Sequence, residues 1–341
     1  MIEGWIVSNV VVAAALIGSV AVARAIRRDR LWLEATRDLV RRRPIALAVI
    51  GLYLLVALVD SVRWVGGSAA GGDVVAAHEA RSPIDRAFAG SQEKSYSAPF
   101  AKVEFYGGSA LKHPGKHPFG TDVLGRDCLY LVLKGARVAL LIGGVTSLIA
   151  IPLALLFGVS AGYRGGWVDD AVFFVMSTLA SMPTLLLLIA LVMALGRGTL
   201  QVCVALGVTS WVGFCRMARG ETLKLREMDY VQAARALGVN DLKIVFRHVL
   251  PNLSHLIVIT FVLTFSGLVL SEAVLSFLGI GVPGSWGQMI DRARDELARE
   301  PAVWWNLTAA GIALFVLILA VNVVGDALRD VLDPRTLRES Q

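Results

Sequence analysis

Long apolar runs pace the chain, at about residues 5–26, 44–64, 130–162, 168–195, 199–216, 254–278 and 304–325, with polar stretches between them. Crossing ~30 Å of hydrocarbon takes about 20 predominantly apolar residues in a helix. The runs therefore predict an all-α polytopic membrane protein with about seven transmembrane helices. Gly196-Arg197-Gly198 joins two of them and is too short for anything but a hairpin of helices. Ser181-Met182-Pro183 lies inside the run at 168–195. A proline there predicts a kink, which either lines a translocation path or serves packing alone.

Charge placement orients the runs. Arg24, Arg27, Arg28, Arg30, Arg37, Arg41, Arg42 and Arg43 crowd the first connection, the clearest positive-inside signal in the chain. They also suit an anionic lipid surface. No Lys or Arg precedes the run at 5–26, whereas a secretory signal has the opposite charge order. This run is expected to be a retained helix with its N-terminus outside. Successive crossings then put 216–252 inside, where seven Lys or Arg stand against four acidic residues. The polar segment from 66 to 129, with its Gly-Gly pairs and four prolines, falls outside and is long enough to brace another protein. His113 and His117 flank Pro114-Gly115, which argues against a shared helical face, so a solvated loop is expected and not a metal site.

Composition agrees. A mean hydropathy of +0.65 with 56% hydrophobic residues excludes an ordinary soluble domain. The net charge of +6 sits between apolar runs and not on one face, so no nucleic acid is expected as a partner. Cys128, Cys203 and Cys215 are widely spaced and fit neither a disulfide framework nor a zinc site.

The most informative stretch is residues 228–252, MDYVQAARALGVNDLKIVFRHVLPN. Val231, Ala234, Gly238, Leu242, Val245 and Val249 recur at helical spacing. Gly238 breaks the run, Asn240 and Asp241 are candidate caps for a second helix, and Pro251 is expected to stop that helix before the next membrane run. Ala233, Ala234 and Gly238 have so little bulk that another protein's surface can approach the backbone closely.

Tyr230 to Gly238, followed by Ile244, Arg247, His248, Leu250, Pro251 and Asn252, resembles the EAA loop of ABC-importer permeases, and more closely the C-type subunit of the dipeptide/oligopeptide and nickel permease family. Gly120-Thr121-Asp122-Val123-Leu124-Gly125-Arg126-Asp127, Ala161 to Asp170, Glu272 to Gly279 and Asp326 to Arg335 are similar to further family patterns, in the right order. The resemblance covers residues 120–335. It implies a type I importer fold with a six-helix core, to which the run at 5–26 adds an extra helix. The implied division is 1–43 for that helix and a basic linker, and 44–129 for the first core helix and a long extracytoplasmic segment. The permease core follows at 130–326, and a cytoplasmic tail at 327–341.

In that family the loop docks into a groove on a cytoplasmic ATPase. The resemblance thus assigns ATPase coupling to Tyr230, Gln232, Ala233, Ala234, Gly238, Arg247, His248 and Pro251. Gln232 stands where the family motif has glutamate, which removes a charge and keeps the length. Pro183 and Glu272 are candidates for gating or subunit contact, since a carboxylate inside an apolar run is costly unless paired or wetted. Glu272 lies near the outer end of its run, where it is also placed to reach interfacial water. Implied partners are a homologous second permease subunit, two ABC ATPase subunits, an extracytoplasmic solute-binding protein and the lipid bilayer. Peptides are the leading substrate, moved by alternating access.

No GxxxxGK[ST] or HExxH motif occurs, and no catalytic residue and no cofactor are expected in this chain. Two other classes stay open: an ion-coupled secondary transporter, which needs midplane ion sites and often shows repeats, and a membrane scaffold or sensor using 66–129 for its ligand.

Overall fold

A computed structural model describes residues 9, 24, 30–64, 80–196 and 198–332. The expected helix at 5–26 therefore lies outside the described residues apart from Asn9 and Arg24, as do 65–79 and the tail from 333. Among the described residues the secondary structure is helical, with only isolated bridges besides. We number the helices α1 (Arg30–Arg42), α2 (Pro44–Ser61), α3 (Pro83–Ala87), α4 (Cys128–Arg164), α5 (Gly166–Ala180), α6 (Thr184–Leu195), α7 (Thr199–Arg226), α8 (Asp229–Ala236), α9 (Asp241–Ile244), α10 (Ser254–Phe277), α11 (Trp286–Leu297) and α12 (Trp305–Leu332). Two compact units result: residues up to 140 with 276–279 and 283 onward, and residues 141–275 with 280–282.

Five helices are long and apolar enough to span a membrane: α2, α4, α7, the helix running from α9 through α10, and α12. The run at 168–195 is instead broken into α5 and α6, whose axes differ by 92°. The expected kink is thus a full break. Pro183 has no N–H and its ring crowds the carbonyl four residues back. The Met182 N–H turns to Leu179 O at 3.3 Å, and Pro183 O accepts the first bond of α6 from Leu187.

Whether the pair crosses the membrane follows from its neighbours. Arg226 Nη1 donates to Gly162 O at 3.2 Å, so the C-terminal ends of α4 and α7 lie at one face. The 28 residues of α7 span ~42 Å at 1.5 Å per residue, which puts Thr199 at the other face. The pair α5–α6 enters after α4 and leaves just before Thr199, so it is one broken crossing and not a re-entrant loop. That makes six crossings among the described residues.

In the second unit, α4 meets α7 almost backbone to backbone. A Cβ on Gly158 would lie 2.6 Å from Cys215 O, and one on Gly162 would lie 2.7 Å from Arg219 O. Small residues at four-residue spacing are how helices approach closely where lipid is as apolar as leucine. Beside this seam, Arg219 holds Asp169 of α5 through two bonds of 2.5 and 2.6 Å.

In the first unit, residues 80–127 and α11 build a packed lobe rather than a loose loop. Tyr96, Cys128, Val303 and Trp305 form its buried core, and Trp305 Nε1 donates to Thr121 O at 2.9 Å. The Gly120–Asp127 turn shows why its residues are needed. Gly120 and Gly125 adopt φ of 69° and 70°, and a Cβ on either would collide with the backbone of Ser97 or Glu93. Asp122 accepts from Leu124 N, Arg126 N and the Arg126 guanidinium, while Asp127 caps α4 through Leu129 N. His117, expected to be solvated, is 1% exposed between Asp127 Oδ2 at 2.9 Å and Glu93 Oε1 at 3.5 Å. His113 bonds Gly90 O. No metal-binding group of side chains occurs among the described residues.

A buried charge network closes the outer end of α2. Asp60, fully buried, pairs with Lys134 Nζ at 2.7 Å and accepts from Ser82 Oγ at 2.7 Å. Lys134 also reaches Asp85 at 2.6 Å. Burial pulls the Asp85 carboxyl upward, but Lys134, the Ser82 N–H and the Tyr130 hydroxyl outweigh it and hold it at about 2. Asn9 joins this end too: its amide donates to Arg63 O at 2.7 Å and accepts from Arg63 N at 2.9 Å.

Two stability outcomes follow. Gly162→Ala is expected to lower the melting temperature, because overpacking costs ~1–3 kcal/mol. Gly144→Ala in the same helix, where a Cβ meets nothing within 4 Å, gains up to ~1 kcal/mol of helix propensity; thermal melts in nanodiscs compare the two. Lys134→Met is expected to cost the lower end of ~3–5 kcal/mol, because it strips Asp60 of its close cation. The Asp85 contribution, from a depressed carboxyl, is fully present above the ordinary carboxylate range, declines as pH falls through that range, and is gone below about 2.

Candidate functional site

The 228–252 stretch folds as a helix, a tight turn and a second helix, braced on the ends of α4 and α7. One stripe of α8–α9 is buried: Val231, Ile244 and Val249 pack with Val159, Tyr163, Leu225 and Leu253 in one cluster. After α8 the chain reverses at Gly238, with φ 76°. Gly238 N bonds Arg235 O at 3.0 Å and Val239 N bonds Ala234 O at 3.1 Å. This is the double closure that favours glycine at C′, and Val239 and Ala234 pack on the same cluster. Asn240 then caps α9 by accepting from Leu242 N at 2.9 Å.

Pro251 does not stop the second helix. Missing its own N–H and crowding the preceding turn, it widens the helix instead. Val245–Val249 is a π turn, Pro251–Leu253 a 3-10 turn, and the chain runs on into α10. Asn252 Nδ2 bonds His248 O at 2.5 Å and Tyr230 Oη at 3.3 Å. The Tyr230 and His248 rings lie 6.1 Å apart. The structure thus brings Tyr230 and His248 together beside the Pro251 turn.

A second joint ties the loop to α4. Tyr163 Oη bonds Asp241 Oδ1 at 2.9 Å, and the Arg235 guanidinium stands 5.2 Å over the Tyr163 ring. Gln232 is exposed and turns back to Glu227 O at 3.2 Å. Ala233, Gly238 and Arg247 are exposed, while Ala234 is half-buried. Pro183 and Glu272 belong to other elements. Pro183 is exposed at the α5–α6 break, and Glu272 in α10 is 2% exposed, so within this chain its carboxylate does not open to interfacial water.

Leu242 is among the apolar positions at helical spacing, whereas Leu237 and Phe246 have no part in that pattern. Leu237, Leu242 and Phe246 are 83%, 59% and 67% exposed, a row of large apolar side chains on an otherwise polar loop. An exposed row of this kind marks an interaction surface.

Comparison with known proteins fits this geometry. Residues 154–338 match the family described as the binding-protein-dependent transport system inner membrane component. The chain belongs to this family. A putative peptide transport system permease of Brucella abortus is 41% identical over 231 residues, 66% of this chain and 76% of the relative. The oligopeptide permease OppC of Bacillus subtilis is 35% identical, over 67% of this chain and 75% of the relative. The glutathione permease GsiD of Pectobacterium atrosepticum is 37% identical over 64% of this chain. A solved structure of the MetNI methionine ABC transporter in an inward-facing conformation gives a TM-score of 0.50 at 20% identity, covering 60% of this chain and 97% of that chain. This ABC-importer permease is a multi-pass protein of the bacterial inner membrane. Membership places the 228–252 loop in a subunit that works with ATPases.

The joint at Tyr163 has a direct readout. Tyr163→Phe is expected to remove one hydrogen bond worth about 1 kcal/mol, raising amide exchange across 239–244 by roughly fivefold. Unchanged exchange there would show that the apolar cluster alone holds the loop to α4.

Proposed function

We propose that this permease subunit imports di- or oligopeptides by alternating access, driven by ATP hydrolysis on separate subunits. The observation that supports this is the exposed row Leu237, Leu242 and Phe246 on a loop whose opposite stripe is buried against α4 and α7. A loop exposed on one side and fixed on the other is a lever. The row docks in a groove on an ABC ATPase, with Ala233 and Gly238 allowing close approach and Gln232, Arg247 and His248 bordering the contact. Tyr230 and Pro251 set the shape of the turn. Closure of the ATPase pair moves the loop, and the buried stripe passes that motion to α4 and α7.

The complete assembly comprises this chain, a second homologous permease, two ATPases and an extracytoplasmic solute-binding protein that delivers cargo to the outer lobe. The chain itself breaks no bond and uses no cofactor. Peptide cargo is supported by the relatives whose names give peptides, oligopeptides or glutathione as what they transport. Pro183 and Glu272 are the candidates for gating or subunit contact in the membrane region.

Docking is tested at side chains that support nothing inside this chain. Phe246→Glu and Leu237→Glu are expected to leave the subunit inserted and its melting temperature unchanged. Co-purification with the ATPases should fall about tenfold or more, the effect of losing a buried apolar anchor. Wild-type recovery of the ATPases with both variants would count against the lever.

A further inference from the structure

The outer lobe holds a cavity of about 230 Å³, lined among others by Asp122, Arg126, Ser285, Arg292, Glu296 and Asn306. All of these belong to the first unit, and none has a part in the lever. The cavity has a negative pole. Glu296 is 4% exposed and its carboxylate accepts from Tyr96 Oη at 3.1 Å and Asn306 Nδ2 at 2.5 Å. Both of these partners are neutral. An ionised carboxylate offers about four acceptor positions, so half remain unused. Burial pushes the Glu296 carboxyl above its ordinary range, against the pull of those two hydrogen bonds, with the Asp122 charge adding to the push and Arg299 opposing it. No cation bonds the Glu296 carboxylate directly: Arg299, whose guanidinium stands 5.4 Å over the Tyr96 ring, acts on it only from a distance, so an incoming ammonium group would complete it.

The positive pole is built from Arg126, Arg292 and the start of α11. Arg126 uses Nε and Nη2 on Asp122 Oδ2, at 2.9 and 2.6 Å, and keeps its remaining donors. Arg292 is exposed at the cavity. Ser285 caps α11, whose 12 residues begin here, and a helix N-terminus favours an anion. The volume is below the ~300–1,000 Å³ of sites for drug-sized ligands. It suits an amino acid, a dipeptide or one end of a longer peptide.

We propose that this cavity binds a small zwitterion, with its ammonium on Glu296 and its carboxylate at Arg126 and Arg292. Choosing a peptide as that zwitterion rests on the importer function proposed above. The site lies on the outer side, where cargo would pass after release from a binding protein. Affinity falls as pH drops through the raised Glu296 range, because a protonated carboxyl no longer pairs with ammonium.

The test uses the complete transporter in nanodiscs without its binding protein, with Ala-Ala as the probe in equilibrium dialysis. Ala-Ala is expected to bind, and N-acetyl-Ala-Ala and Ala-Ala amide to bind about tenfold more weakly or worse. Glu296→Gln and Arg292→Gln should each weaken Ala-Ala by a similar factor. Arg292 is exposed, so its variant remains informative if Glu296→Gln fails to fold. No binding to the wild type, or binding unchanged in both variants, overturns the site. ATP-driven uptake is measured separately in proteoliposomes with the binding protein present. Peptide uptake without cavity binding refutes the site alone, whereas cavity binding without uptake of any peptide refutes the proposed cargo.

Discussion

The close meeting of α4 and α7 is the constraint on which the rest of the second unit depends. In a bilayer the hydrophobic effect does not press helices together, so their association rests on packing and on polar contacts. Gly158 and Gly162 permit that packing by letting one backbone touch the next. The contact in turn sets Arg226 against Gly162 O and gathers Tyr163 and Leu225 into the cluster that receives Val231, Ile244 and Val249. Without the close approach, the cytoplasmic loop would have nothing rigid to rest on.

That dependence ties a short loop to long helices. Packed interfaces switch between discrete arrangements and do not bend continuously. A loop fixed by an apolar cluster, by Tyr163–Asp241 and by the Arg235–Tyr163 contact therefore moves with the helix ends. The α5–α6 break is a different kind of element. Its 92° turn at Pro183 lies at the end of α5 opposite Asp169, which pairs with Arg219 of α7.

Much of this was legible in the sequence, for identifiable reasons. Membrane helices are set by run length, and the helix–turn–helix by Gly238 and Asn240, because local chemistry fixes both. Three features were not legible. Pro251 widens a helix it was expected to end, since neighbouring turns re-satisfy the freed groups. His117 is buried because Asp127 and Glu93 arrive from either side, and one of those partners lies far away in sequence. Leu237, Leu242 and Phe246 look like core residues in a one-dimensional pattern, and only the reversal at Gly238 turns them outward.

The outer lobe shows the same rule with opposite sign. On the 228–252 loop the exposed large side chains Leu237, Leu242 and Phe246 are apolar. In the lobe the notable group is polar and buried: Glu296 accepts hydrogen bonds from two neutral groups, Tyr96 and Asn306. Burying a carboxylate without a cation costs more than an apolar filling of the same space would. A fold that encloses Tyr96 and Trp305 in an apolar core has such fillings at hand. Retaining the carboxylate beside a cavity is therefore a loss of stability. A charge kept at such expense is best understood by what it meets when the cavity fills.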